Sequence, residues 1–308
     1  MRRGWIRLAQ GLIGLAIVLF AVRSLVRNWD QLRNQPLVWE VRPGWLVLSL
    51  LIVWLIYGLL ILAWRTMLLG WGQRLDGWTA ARIWTVSSLG KYLPGKVWAV
   101  AGMAILARRA GVAAWAATAS AVVMQVLAIG TGAVVASLTG ARALEKAHDG
   151  AGLVLWLLVA GTIIGVALLL WPPILEQVLR RVAPGGPVAG ALTVRGIIIG
   201  VAANTVAWLG YGLAFYLLAR GLLPASGLTP RIAIAVFTAS YLAGFLALFA
   251  PGGIGVREGL FILMLQGPLG ITAATALALA SRVWLTIAEL GSAVPFLAFG
   301  RSKVNDAS

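Results

Sequence analysis

Ala250-Pro251-Gly252-Gly253-Ile254-Gly255-Val256-Arg257-Glu258-Gly259 interrupts one long apolar stretch of this chain, and Gly90-Lys91-Tyr92-Leu93-Pro94-Gly95-Lys96 interrupts another at the matching place in the first half. Proline removes a backbone donor and glycine relaxes the chain, so a helix stops at each site. In a bilayer the freed N–H and C=O groups find no water. Such breaks persist only when buried in protein or lining a wet cavity. A pair of them in corresponding positions points to a transporter-type binding site.

The surrounding composition fixes the solvent. The 308 residues are 61% hydrophobic and 11% charged, with a mean hydropathy of +0.93, whereas an average soluble domain carries about 25% charge. Residues 110–141, 150–175, 196–219, 232–256 and 259–281 contain no Asp, Glu, Lys or Arg. Each run exceeds the ~20 residues needed to cross the hydrocarbon core. No polar stretch is long enough for a separate soluble domain, so residues 1–308 read as one integral membrane domain. The 25 basic residues against 9 acidic ones fit helix ends that set topology and touch anionic headgroups, not nucleic acid. Cysteine is absent, which excludes disulfides, thiolate metal sites and cysteine nucleophiles. Arg2, Arg3 and Arg7 precede an apolar run from Leu8 to Val22 that ends without a small-x-small cleavage site, so an uncleaved signal anchor is expected.

The expected fold is all-α, a polytopic membrane helix bundle. Six full spans are predicted at 5–22, 44–69, 112–139, 151–171, 194–219 and 271–299, with broken units at 78–107 and 231–266. The limbs after the breaks, 97–107 and 254–266, reach only ~16–20 Å against a ~30 Å core. Both units therefore read as re-entrant hairpins, and eight spans result if each limb crosses. Fifteen basic residues fall in the connections on the N-terminal side and nine on the other, which predicts both termini, and the short tail 300–308, in the cytoplasm. The units 44–139 and 194–299 would then be inverted repeats, one hairpin opening to each side of a cytoplasmic (inner) membrane. Trp5, Trp45, Trp64, Trp71, Trp156 and Trp171 lie near predicted span ends and read as interfacial anchors.

Chemistry concentrates at the breaks and in the last helix. Lys91, Tyr92 and Lys96 surround Pro94 and Gly95, where a new helix N-terminus beside two ammonium groups and a phenol suits a phosphate; a solvated loop is the alternative. Pro251, Gly252, Gly253 and Gly255 allow successive N–H groups to converge on an anion, and Arg257 offers it a bidentate partner. Glu258 pairs with Arg257 or with a cationic headgroup on this reading. Arg282 and Glu289, two turns apart in an apolar helix, are expected to face a cavity or a partner on another element, for example Arg282 with Glu258. Gln125 and Asn204 read as interhelical hydrogen-bonding groups.

Catalytic signals are poor. His148 is the one histidine, and no Walker A pattern, paired carboxylates, metal spacing or nucleophile elbow occurs. No cofactor and no metal is expected, and movement of a substrate is favoured over chemistry on it.

These residues carry a family resemblance. Ala63-Trp64-Arg65, Leu68-Leu69, Gly90 to Gly95, Arg108-Arg109, Gly111, Pro251 to Gly259 and Arg282 resemble, over nearly the whole chain, the transmembrane region of lysylphosphatidylglycerol synthases, a flippase-like family. The resemblance implies movement of an aminoacylated phospholipid in bifunctional members, whose separate soluble domain attaches the amino acid; with nine residues after the last predicted helix, a stand-alone member is expected. Where many members carry acidic and basic residues, this chain reads Val122-Val123-Met124-Gln125-Val126-Leu127-Ala128. The function expected is a flippase for a phospholipid, lipid-linked glycan or aminoacyl lipid, with membrane lipids as partners and an anionic headgroup. An enzyme acting on a lipid-linked phosphate, or a scaffold for lipid-modifying enzymes, are the alternatives. A second copy of the chain or a lipid-modifying enzyme stays open as a protein partner.

Overall fold

The computed structural model describes residues 40–92, 98–145, 194–247 and 250–299, with single positions at 160, 164, 171 and 177. All regular elements among them are helical: α1 (Pro43–Gly70), α2 (Gly77–Ser88), α3 (Trp98–Arg109), α4 (Ala114–Glu145), α5 (Val194–Leu222), α6 (Pro230–Leu246) and α7 (Val256–Phe299). Short 3-10 turns at Leu89–Tyr92 and Pro251–Gly253 follow α2 and α6. The predicted span 5–22 lies outside the described residues, as do all but three positions of 151–171 and both Pro94 and Lys96.

Among the described residues, four helices are long and apolar enough to cross a membrane: Pro43–Gly70, Ala114–Gly140, Arg195–Leu222 and Val256–Leu297. The protein is therefore a membrane-embedded helical bundle. The first three reproduce predicted spans to within a few residues. The last is 42 residues, about twice the length the hydrocarbon core requires. Gly270, at φ 79° and ψ 158° two residues after Pro268, divides it, which is where the final span was expected to begin. The limbs α2 and α3 have 12 residues each, ~18 Å, and neither reaches across a bilayer. They pack on each other as a broken hairpin.

Local chemistry sets these boundaries. Pro43 opens α1 and Pro230 opens α6, positions where its missing donor costs nothing. Thr229 caps α6 through Ile232 N–H. After α3 the chain reverses at Gly111, φ 84°, while Val112 N–H donates to Ala107 O at 3.0 Å, a C-terminal turn that glycine makes inexpensive. Asp76 caps α2 by accepting from Thr79 N–H at 2.9 Å. Thr79, through its side chain first and its backbone N–H second, holds the Asp76 carboxyl below its ordinary range. The Asp76→Ala variant is expected to lose about 1 kcal/mol of α2 stability. Because the folded-state pKa is depressed, that contribution is complete above the unfolded-state value and vanishes as pH falls through the folded one. Hydrogen exchange of α2 amides in the two proteins at neutral and acid pH checks both statements; equal exchange at neutral pH refutes them.

The bundle turns apolar side chains outward. On α7, Leu279, Val283, Ile287, Leu290, Val294 and Leu297 are exposed at helical spacing along one face, and Leu55 of α1 is 73% exposed. This is the lipid-facing surface. Trp64 is a correction to the expected interfacial belt: it is fully buried, and its Nε1 donates to Ser120 Oγ at 2.8 Å. A buried indole needs such an acceptor, and the ring also packs against Trp84, with centroids 5.9 Å apart. Trp71 stacks on Trp115, whereas Trp45 and Trp171 are exposed; Trp5 and Trp156 lie outside the described residues.

Two hydrophobic cores result. One joins α1, α2, α3 and α4 with the start of α5; the other joins α5, α6 and α7 with parts of α1 and α4. Element order is the same in both halves: a long helix, two shorter limbs around a break, then another long segment. The 3-10 turn of the first break touches that of the second, with Cα atoms within 8 Å.

Candidate functional site

A second face of α7, beside the lipid-facing stripe, carries Arg282, Leu285, Thr286, Glu289 and Ser292. All five line a cavity of about 310 Å³ at the seam between the two cores. The separation of seven residues between Arg282 and Glu289 therefore does what helical geometry demands: both point the same way. Lys91, Gly252, Gly253 and Arg257 line the same space. Six of the residues singled out in the sequence are thus gathered from both breaks and the last helix.

Of the pairings expected for Glu258, the one with Arg282 forms and the one with Arg257 does not. Lys91 Nζ forms an ion pair with Glu289 Oε1, joining the first break to the last helix. Its ammonium does not belong to a freely solvated loop. Glu258 does not pair with Arg257. One of its oxygens accepts from Gly255 N–H at 2.7 Å, the reach of a third-position glutamate back to the residue that caps its helix. The other accepts from Arg282 Nη1 at 3.0 Å, and that nitrogen also donates to Gly252 O at 3.2 Å. The second break is thereby tied to the middle of α7.

The same bonds correct the expected anion nest. Gly255 N–H is spent on Glu258, and Gly253 N–H donates to Ala250 O at 3.0 Å. The glycines instead provide shape: Gly252, Gly253 and Gly255 have φ of 57°, 72° and 84°, conformations that side chains resist. Gly255 and Glu258 stand behind the cavity wall. Pro251 shapes the turn, the backbone of Tyr92 ends the first one, and Pro94 and Lys96 fall outside the described residues.

Arg257 occupies the most unusual setting. It is 6% exposed, and its guanidinium carbon lies 5.5 Å from the ring centroids of Phe237, Tyr241 and Phe261. Nη2 donates to Ser281 Oγ at 3.2 Å, while Nε is buried without a hydrogen-bond partner. No carboxylate among the described residues pairs with it. Three aromatic faces attract a guanidinium, yet a buried cation with an idle donor costs free energy unless an anion arrives.

Sequence reading missed the aromatic wall. Tyr57, Trp84, Trp208, Tyr211 and Tyr241 line the cavity, with Trp208 and Tyr241 edge-to-face at 5.7 Å. Trp208 Nε1 donates to Ala128 O at 2.9 Å, which fixes the ring. Aromatic residues inside apolar helices carry no local signal of which face they present. Gln125 and Asn204 also reach the cavity. Asn204 does not bridge helices through its amide nitrogen: Nδ2 donates to Gly200 O of its own helix at 2.8 Å. Gln125 is exposed and makes no side-chain hydrogen bond among the described residues.

The family model described as lysylphosphatidylglycerol synthase TM region matches residues 8–286. The chain belongs to that family. No curated protein is significantly similar to it. In this member of the lysylphosphatidylglycerol synthase TM region family the breaks, the Glu258–Arg282 pair, Lys91 and Arg257 fall inside the matched residues, and Glu289, the partner of Lys91, lies three residues beyond them.

Proposed function

We propose that the protein is a flippase-like transporter that moves a phospholipid-class or lipid-linked substrate across the cytoplasmic membrane, with both termini in the cytoplasm. The observation that carries this reading is the meeting of two broken elements over one cavity, each from a different half of the chain. A site at the junction of two repeat-like units suits alternating access, because rocking one unit against the other exposes the site to each side in turn. The units 44–139 and 194–299 would be the moving bodies, inverted relative to each other.

In this mechanism the headgroup enters the cavity while the tails remain in lipid. Its phosphate meets Arg257, and Lys91 and Arg282 lend further positive potential. Glu289 and Glu258 hold those two cations in place between transport events, so that among the described residues Arg257 is the cation left waiting for an anion. Lys91–Glu289 links the two units, and breaking or remaking that pair accompanies their relative motion. The driving force is a lipid gradient or a coupled ion.

Proteoliposomes test the reading. Reconstituted protein is expected to accelerate translocation of at least one headgroup-labelled phospholipid over protein-free vesicles by tenfold or more. No acceleration across anionic and zwitterionic lipids would overturn it. Turnover of a lipid pyrophosphate by the purified protein, abolished by Glu258→Gln, would replace it with an enzymatic role.

A further inference from the structure

The charges and hydrogen-bonding groups around the cavity discriminate between headgroups. Among the described residues, three cations (Lys91, Arg257 and Arg282) and one carboxylate (Glu289) line it, and a second carboxylate, Glu258, stands behind the wall bonded to Arg282. Both carboxylates are committed: Glu289 to Lys91, and Glu258 to Arg282 and Gly255 N–H. Arg257 has no carboxylate and keeps a buried, unpartnered Nε. Counted over the described residues, the site is therefore one negative charge short of neutral, and the deficit sits on a group whose planar fork suits an oxyanion.

An ammonium-bearing headgroup finds nothing equivalent. Binding it would require a carboxylate to abandon its present partner, leaving a buried cation behind. Of the aromatic rings on the cavity wall, Phe237 and Tyr241 already hold Arg257, whose charge repels a second cation from that side. The remaining polar lining is neutral. Ser87 and Ser88 on α2, Gln125 on α4 and Asn204 on α5 offer hydroxyls and amides, which match hydroxyl groups on a ligand. The wall of Trp208, Tyr211 and Tyr241 supplies flat apolar faces on which the C–H surface of a polyol or sugar packs. At about 310 Å³ the cavity is at the small end of ligand sites, large enough for a headgroup and too small for acyl chains.

We propose that this cavity selects an anionic phosphodiester whose headgroup ends in neutral hydroxyls, a polyol or a sugar, and rejects ammonium-bearing headgroups, aminoacylated ones included. The inference rests on the flippase reading and narrows it to a substrate class. Arg257 takes the phosphate, and Gln125 stands on the wall that meets the hydroxyl end.

The experiment is competitive lipid retention by the purified protein, read by native mass spectrometry, beside translocation of the same lipids in vesicles. The probes are phosphatidylglycerol, phosphatidylcholine and lysyl-phosphatidylglycerol in equal amounts. Phosphatidylglycerol is expected to be retained and moved at least tenfold better than the other two. The Gln125→Glu variant adds a carboxylate at an exposed position on the cavity wall, and its melting temperature beside that of the wild type shows that it folds. It is expected to raise the ratio of lysyl-phosphatidylglycerol to phosphatidylglycerol by tenfold or more. Translocation by the wild type without preference for phosphatidylglycerol would overturn the substrate class and leave the flippase reading standing. A wild-type preference that Gln125→Glu does not shift removes Gln125 from the headgroup wall, and absence of translocation for every probe sinks both readings.

Discussion

Replacing Arg257 with methionine is expected to reduce lipid translocation about 100-fold while leaving the melting temperature level or higher. The loss corresponds to roughly 3 kcal/mol, the upper range for a hydrogen bond to a charged group. The stability side follows from the surroundings. Arg257 is buried among three rings with one hydroxyl acceptor and no carboxylate, so its charge is desolvated without full compensation. Methionine has a similar reach, and its sulfur packs well against aromatic faces. Ser281 Oγ keeps its bond to Ala278 O at 2.8 Å, so the substitution orphans nothing on that side. Exchanging buried ionic groups for apolar ones of similar volume is often neutral or stabilising. A residue whose removal costs activity and not stability is held for function. Thermal unfolding in detergent and vesicle translocation, measured on the same preparation, decide the matter. A methionine variant that transports normally, or one that melts far below wild type, removes Arg257 from the role assigned here.

Gly253→Ala is expected to be the most damaging small substitution in the second break, costing about 2–5 kcal/mol. Two effects add. The backbone at Gly253 has φ +72°, which a residue with a Cβ adopts at a cost of roughly 1–2 kcal/mol. The added methyl would also lie 2.8 Å from Gly244 Cα and 2.9 Å from its carbonyl oxygen. These are backbone atoms of α6, so no side chain can swing aside, and overpacking of this kind costs about 1–3 kcal/mol. Relief requires the break to lift off α6. That movement takes Gly252 O away from Arg282 and shifts Arg257, whose own Cβ lies close to Gly244. Translocation should therefore fall with stability. Gly259→Ala is the control: the site has open space around it and lies within α7, so alanine is expected to be neutral or to stabilise by about 0.5–1 kcal/mol. Similar melting of the two variants would show that the break is not seated on α6 as described.

The contrast between those two glycines marks the limit of reading the chain alone. Both stand in one short motif, and the sequence distinguishes neither the left-handed position from the helical one nor the crowded from the open. The breaks themselves were legible because proline and glycine act locally on the backbone, wherever the segment lies. The long helices were legible because transfer into lipid depends on each segment's own side chains. Gly270 is a further case: the final span was expected to begin at 271, and the chain turns one residue earlier.

Amino-acid order by itself determined that the chain lives in a membrane, where its helices run, where two of them stop, and which ionisable groups sit at odds with their apolar surroundings. Only the tertiary structure decided how those groups pair: Glu258 with Arg282, Lys91 with Glu289, and Arg257 with rings instead of a carboxylate. It also decided that Trp64 is core and Trp208 is cavity wall. The physical reason is that hydropathy and backbone propensity are properties of one segment. An ion pair or an aromatic contact belongs to two segments at once, and depends on the rotation and register with which their helices meet.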